Sequence, residues 1–275
     1  MILINENSFI VNAMVHGNIF ISFSAMSIAY LTSSLLNKNL SFQLALACFS
    51  IMFLVYTSNR FSDLKEDEIN SPNRVYFVRK IGFLFLIISI LLFFLSVFLI
   101  WPYSKVASIL MFFPLIIGLL YNFSGLKKVI LIKNLTVGLG WGVLPLVAGA
   151  FYQTYDNSIF IFSLFVGFVW IVNSTIFDLK DIPGDSEQGI ITIPVKFGEK
   201  WTKIFCHFIN FILFFMIFVF GYQHFLFFTL ITMLIYVCIY IHFAKTRNNT
   251  YYYGIFVDGE FVFAAIFHYF LRAIT

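Results

Sequence analysis

The run FLFLIISILLFFLSVFLI, residues 83–100, decides the fold class. It carries no charge, glycine or proline, and as a helix it would extend about 27 Å, close to the hydrocarbon thickness of a bilayer. A membrane strand would be shorter, about ten residues, and would alternate apolar and polar side chains. This stretch does not alternate, so it reads as a transmembrane helix.

Outward from it, apolar windows of the same kind cover residues 9–36, 40–58, 106–121, 135–152, 159–177, 204–221, 225–243 and 251–274. Together with 81–100 they predict an all-α integral membrane bundle of about nine transmembrane helices, read as one domain over residues 1–275. Composition agrees. With 61% hydrophobic residues, 11% charged residues and a mean hydropathy of +0.93, the chain is not a water-soluble globular domain, whose surface could not stay wet. The first window has neither a basic stretch before it nor a small-residue cleavage site, so it reads as a retained helix. Cys48, Cys206 and Cys238 fall in predicted helices without metal or disulfide spacing, and the five histidines are scattered in the same way.

Charge predicts the orientation. Arg60, Lys65, Arg74, Arg79 and Lys80 follow the second window, and Lys127, Lys128 and Lys133 follow the fourth. Lys180, Lys196, Lys200 and Lys203 follow the sixth, and Lys245 and Arg247 the eighth. Only Lys38, Lys105 and Arg272 lie on the other side, fourteen against three. The positive-inside rule then puts the even-numbered connections and the N-terminus in the cytoplasm and the C-terminus on the opposite face. This topology accounts for the basic excess, so no nucleic-acid partner is expected.

Most acids collect on the same side, which the rule does not require. In NRFSDLKEDEIN, residues 59–70, Asn59, Asp63 and Asp67 are spaced to share one stripe of a helix. In FDLKDIPGDSEQG, residues 177–189, Asp178, Asp181 and Asp185 do the same if the helix persists, which Pro183 opposes by disfavouring helical geometry at Ile182. Asp63 and Asp67 precede Asp181 and Asp185 by 118 residues, and each pair follows an even-numbered helix, a pattern that suggests a pseudo-repeat of four helices. One such cluster reads as a solvated loop. Two at equivalent positions, facing one cavity, would repel unless a cation neutralised them. A hard divalent ion such as Mg²⁺ takes carboxylate oxygens and bridges to phosphate, so the chemistry suggested is a Mg²⁺-held diphosphate.

These residues resemble the UbiA superfamily of intramembrane prenyltransferases. Asn59, Asp63 and Asp67 fit its N-x-x-x-D-x-x-x-D signature, and INSPNR, ending at Arg74, is similar to the segment that follows it. DLKDIPGD with GIITIPVKFG resembles the second signature, and YNFSGLKK, residues 121–128, resembles the tyrosine and basic pair between them. The resemblance implies a prenyl diphosphate substrate held through Mg²⁺, ionisation of its allylic C–O bond, and capture of the cation by an electron-rich acceptor. It implies catalytic metal ligation by Asp63, Asp67, Asp181 and Asp185, with Asp178 and Asn59 completing the shell. Asn59, Tyr121, Lys127, Lys128 and Arg74 would bind the diphosphate, where positive charge stabilises the leaving group.

A carbocation also needs π faces, and Tyr56 is a candidate near the first signature. Two departures from the family pattern concern the acceptor end. The arginine expected near the first helix is missing from VHGNIF, and Arg60 follows Asn59 where an acid is usual; Asn18 matches a helix-1 asparagine. In the last window Asp258 and Glu260 are acids inside a membrane helix and become candidate proton acceptors. The expectation is an isoprenoid-transferring enzyme with a lipophilic or aromatic acceptor, set in membrane lipid. A terpene cyclase is the alternative within the fold. A transporter fits less well, because its carboxylates should lie near the bilayer midplane.

Overall fold

The computed structural model describes residues 9–123, 129–221, 224–246 and 251–274, and all regular structure among them is helical. Every apolar window folds as helix. Helix α1 (Phe9–His16) and α2 (Ile19–Leu35) share the first window and meet at 63°. The chain turns there because Asn18 adopts the left-handed conformation, φ 61°, which asparagine tolerates better than most residues. Next come α3 (Phe42–Ser62), α4 (Leu64–Asn70) and α5 (Pro72–Phe77), which passes through a π turn (Val78–Gly82) into α6 (Phe83–Ile100). The second window's connection, where Asn59, Asp63 and Asp67 are spaced for a helical stripe, is almost wholly helical.

Then follow α7 (Lys105–Leu110), α8 (Phe112–Phe123), α9 (Ile132–Phe151), α10 (Asn157–Glu187), α11 (Ile193–Phe220) and α12 (His224–Phe243). A second π turn (Tyr252–Val257) leads into α13 (Glu260–Ile274). Among the described residues six helices are long and apolar enough to cross a membrane, or seven if the bent α1–α2 pair is one span. The windows at 106–121 and 251–274 are helical but shorter, so length alone does not bring the count to nine. The chain is a multi-pass integral membrane protein.

Helix α6 shows how the bilayer, as solvent, inverts the usual pattern. Its buried stripe is Ser89, Phe93, Ser96 and Ile100, while leucine, isoleucine and phenylalanine face outward. Ser96 Oγ lies 2.7 Å from Ser50 Oγ of α3, a polar contact between spans that lipid could not replace. Helices α9 and α10 are the most buried spans, and they approach closely through glycine. A Cβ added at Gly138 would come within 2.7 Å of the Gly167 carbonyl oxygen, so neither chain could stay where it is with a larger residue there. This close approach puts Asn134 and Asp178 within reach of each other.

Pro183 does not end α10, contrary to the sequence expectation. It stands one turn before the helix end and removes the N–H that would bond the Leu179 carbonyl, while the next N–H, of Gly184, is bonded by Asn70 Oδ1 at 2.9 Å. The helix stops at Gly189, φ 66°, where Ile190 N–H returns to the Asp185 carbonyl at 2.8 Å, a glycine C-terminal motif. Gly198, φ 78°, breaks the first turns of α11 in the same left-handed region. The two glycines of GIITIPVKFG are thus backbone requirements.

Candidate active site

The first acidic stripe is bent. Asp63 joins α3 to α4 at φ −99°, ψ 9°, and although its N–H bonds Asn59 O at 3.1 Å and its own carbonyl accepts from Asp67 N–H at 2.9 Å, the side chains diverge. Asn59 and Asp63 line a cavity of about 150 Å³. Asp67 instead is buried and accepts a hydrogen bond from Arg74 Nη1 at 3.0 Å. Aspartate competes with the helix for its own backbone groups, which favours a break at such a residue.

Along α3 the cavity wall passes from Asp63, Arg60 and Asn59 to Tyr56 and Met52 within about three turns. Trp141 of α9 faces them and donates from Nε1 to the Tyr56 hydroxyl at 2.9 Å. Behind it Trp170 stacks at 3.4 Å between ring centroids, and Phe261 lies parallel to Trp170 at 6.4 Å. The sequence singled out Tyr56 alone; the two tryptophans lay unmarked in apolar windows.

The second cluster rides the unbroken end of α10. Lys133, at the start of α9, lies 2.7 Å from Asp178 and 3.5 Å from Asp185, and Asn134 Nδ2 donates to Asp178 at 3.0 Å. Lys180 Nζ lies 2.9 Å from Asp181 and donates to Ser71 Oγ at 3.2 Å. With the Asn70–Gly184 bond, this ties α4 and the α4–α5 junction directly to α10, so the two acidic clusters converge at one end of the bundle. Lys133 and Lys180 had been read only as topology signals. Their positions, one flanking Asn134 and the other inside the aspartate motif, were the signal available.

Among the described residues no three carboxylate, histidine or cysteine side chains meet closely enough to enclose a metal ion. Lysine and arginine stand beside Asp67, Asp178, Asp181 and Asp185. Tyr121 lies in the last turn of α8, and Lys127 and Lys128 lie outside the described residues. Arg74, expected to reach a diphosphate, is buried against Asp67 and leaves Nε without a partner among the described residues.

Of the two acids near α13, Glu260 is fully used. It accepts from the Tyr240 hydroxyl at 2.6 Å and from Asn173 Nδ2 at 3.3 Å. Asp258 is buried too, but its Oδ1 has no hydrogen-bond partner among the described residues. Its backbone is fixed by Ser24 Oγ, which donates to the Asp258 carbonyl at 2.5 Å.

Fold and site together define a multi-pass membrane protein with a carboxylate-rich polar end beside an aromatic-walled cavity. The chain belongs to the UbiA prenyltransferase family, which matches residues 19–251. It is 30% identical over 157 residues to the digeranylgeranylglyceryl phosphate synthase of Methanosphaera stadtmanae, covering 57% of each chain. It is 27% identical over 194 residues to that of Methanobrevibacter smithii, covering 64% of this chain and 66% of the other. The matches therefore span about three-fifths of these curated relatives. The fold is shared with a UbiA homologue from Aeropyrum pernix, at TM-score 0.71 and 14% identity over 94% of this chain and 99% of that one. It is shared also with a UbiA homologue from Archaeoglobus fulgidus bound to GPP and Mg²⁺, at TM-score 0.69 and 13% identity over 95% and 98%.

Proposed function

We propose that this chain is a Mg²⁺-dependent intramembrane prenyltransferase that joins an isoprenoid from a prenyl diphosphate to a hydroxyl-bearing acceptor of the glyceryl phosphate type. The observation that carries the reading is the convergence of two acidic clusters, through Asn70–Gly184 and Ser71–Lys180, beside a cavity whose far wall is aromatic. The name of the curated relatives supports a hydroxyl acceptor over an aromatic ring.

The donor set suits Mg²⁺. It consists of hard carboxylate oxygens, and this ion needs only one or two of them, completing its shell with water and substrate phosphate. Asp63, Asp67, Asp178, Asp181 and Asp185 would hold it, and when bound it would neutralise the charge that develops on the leaving diphosphate. Lys133 and Lys180 hold the carboxylates together against their mutual repulsion. Asn59, Arg74, Tyr121, Lys127 and Lys128 remain our assignment for the diphosphate oxygens. Tyr56 and Trp141 offer π faces to the allylic cation, each contributing about 0.5–2 kcal/mol. The acceptor oxygen bonds to the prenyl C1 as the C1–O bond to diphosphate breaks and its electron pair leaves with the diphosphate. The hydroxyl proton passes to Asp258 Oδ1, which has no partner among the described residues, rather than to Glu260, whose oxygens are engaged.

Charge asymmetry supports a cytoplasmic location for this end of the bundle and for the N-terminus, with the C-terminus opposite. Single cysteines at the exposed Asn73 and Ser186 should then react with an impermeant maleimide from the cytoplasmic face only.

The test of function is mass spectrometry of products from purified protein given Mg²⁺ and geranylgeranyl diphosphate, with and without a prenylglyceryl phosphate. A coupled ether that needs the acceptor is expected. A cyclic hydrocarbon or alcohol formed from the diphosphate alone would overturn transfer in favour of cyclisation.

A further inference from the structure

Two bases fall within the first signature, and while Lys65 is exposed, Arg60 turns into the cavity. It directly follows Asn59 and shares its cavity, yet it brings a guanidinium into a site otherwise rich in carboxylates. Arg74 and Lys180 each stand within 3.0 Å of an aspartate oxygen. Arg60 is held differently. Its Nε donates to Asn18 Oδ1 at 3.0 Å, so an amide fixes the plane of the guanidinium without neutralising it. Asn18 in turn occupies the left-handed break between α1 and α2, which aims its side chain at α3 rather than along its own helix.

The two terminal nitrogens of Arg60 have no hydrogen-bond partner among the described residues and are not sealed from the cavity. A guanidinium presents those nitrogens as a planar fork that matches phosphate or carboxylate oxygens two at a time. Asp63 and Asp67 act on Arg60 through space without pairing with it, and on its other side positive charges gather. The charges of Arg60, Arg74 and Lys180 are all felt at both His16 and Asp258. Those two side chains are more than nine-tenths buried, and each keeps a polar atom without a partner among the described residues, Nδ1 and Oδ1 respectively. This basin lies toward α1, α5 and the second π turn, whereas Lys133 holds Asp178 and Asp185 from α9.

We infer that Arg60, positioned by Asn18, is a specificity-determining clamp for an anionic phosphate headgroup on the acceptor, separate from the groups that hold the donor diphosphate. The inference rests on the transferase reading above and narrows it. The acceptor must carry a phosphomonoester close to its nucleophilic hydroxyl, so that the headgroup sits on Arg60 while the hydroxyl is offered toward Asp258. An upstream reaction that makes a monoprenyl ether of a phosphorylated polyol would supply such a substrate. A neutral alcohol would leave the guanidinium unpaired in a desolvated cavity, which sites built around a polar partner reject strongly.

The experiment compares a prenylglyceryl phosphate with the same glyceride lacking its phosphate, using full-length protein, Mg²⁺ and geranylgeranyl diphosphate. Wild type should favour the phosphorylated acceptor, and Arg60→Gln should erase that preference by lowering kcat/KM for it about 10- to 100-fold, the range for a charge-assisted pair. The KM for geranylgeranyl diphosphate and the rise in Tm with Mg²⁺ and inorganic diphosphate should stay within twofold of wild type. Arg60→Lys, which keeps the charge but not the fork, should fall between the two and serves as the readout if Arg60→Gln does not fold. A raised KM for the donor with acceptor discrimination intact would assign Arg60 to the donor diphosphate and overturn the clamp. So would a wild-type enzyme that couples both acceptors equally well. Wild-type protein that neither forms product nor gains Tm with Mg²⁺ and diphosphate would overturn the functional reading itself, and the clamp with it.

Discussion

Asp63 is the break between α3 and α4, with Asp67 a turn beyond it in α4, whereas Asp181 and Asp185, at the same spacing, ride an unbroken stretch of α10 that contains a proline. Local propensity alone would break the second stretch as well as the first. The helix continues through the proline, and the N–H that follows it, of Gly184, is taken by Asn70. The break at Asp63 lets α4 leave the line of α3 and lie against α10. Tertiary contacts set both, and they make two similar motifs unequal. The first offers Asp63 to the cavity and keeps Asp67 for Arg74, while the second holds its aspartates between lysines.

The largest effect should follow from removing one carboxylate of each cluster. Asp63→Asn and Asp185→Asn should each reduce turnover by about 10²- to 10³-fold, the scale of losing one preorganised electrostatic contact in a site. Both should fold, since Lys133 still has Asp178 when Asp185 is neutral. Turnover by mass spectrometry and Tm on the same samples check this. Collapse of Tm alongside activity would make the clusters structural, and activity surviving in one variant would make only one cluster functional.

Lys133→Met sharpens the contrast from the basic side. It strands Asp178, almost fully buried, beside Asp185, and breaking a buried pair by removing one partner costs about 3–5 kcal/mol. A divalent cation binding the freed carboxylates would restore part of the loss by mass action on the folded state. Tm is expected to fall strongly without Mg²⁺ and to recover in part with it. Recovery that is no greater than in wild type would separate Lys133 from the metal site.

Much of this was legible before any coordinates. Uncharged runs such as residues 83–100 must be helical in a bilayer, because only a helix satisfies its own backbone there. The aspartate spacing survived as proximity because carboxylates near membrane spans have few places to go. What was hidden depends on cross-chain contacts. Asn70 meeting Gly184, Lys133 joining Asp178 to Asp185, and Trp141 stacking on Trp170 are pairings between distant segments. The sequence marked Asp178 and Asp185 but not the residues they or the others would meet. Arg60 was visible as a departure from pattern, but its bond to Asn18 needed the fold.

A smaller effect tests the join between the clusters. A Cβ at Gly184 would lie 2.4 Å from Asn70 Nδ2, so Gly184→Ala forces the two apart at a cost of about 1–3 kcal/mol, typical of overpacking. The fold should persist, while the Tm gain from Mg²⁺ and diphosphate should shrink more than for a glycine outside the site, such as Gly221→Ala. Equal gains in the two variants would mean that the clusters need not be held in register.

The smallest expected effect marks the edge of the site. Glu68 directly follows Asp67, and its partner Arg79 lies five residues beyond Arg74, so the two ion pairs start from neighbouring positions of α4 and reach the same following helical segment. Burial divides them. The Arg74–Asp67 pair is almost sealed, with side chains 7% and 10% exposed, whereas Arg79 and Glu68 are 65% and 52% exposed. An exposed pair contributes about 0–1 kcal/mol, because water and salt screen it and two long side chains must be ordered to form it. Arg79→Ala should therefore lower Tm by at most about 2–4 °C and leave turnover within twofold of wild type. Arg74→Ala, which leaves Asp67 buried and unpaired, should be far more damaging. Comparable losses from the two would mean that the polar end extends outward to Glu68 and that burial does not divide supporting residues from bystanders in α4.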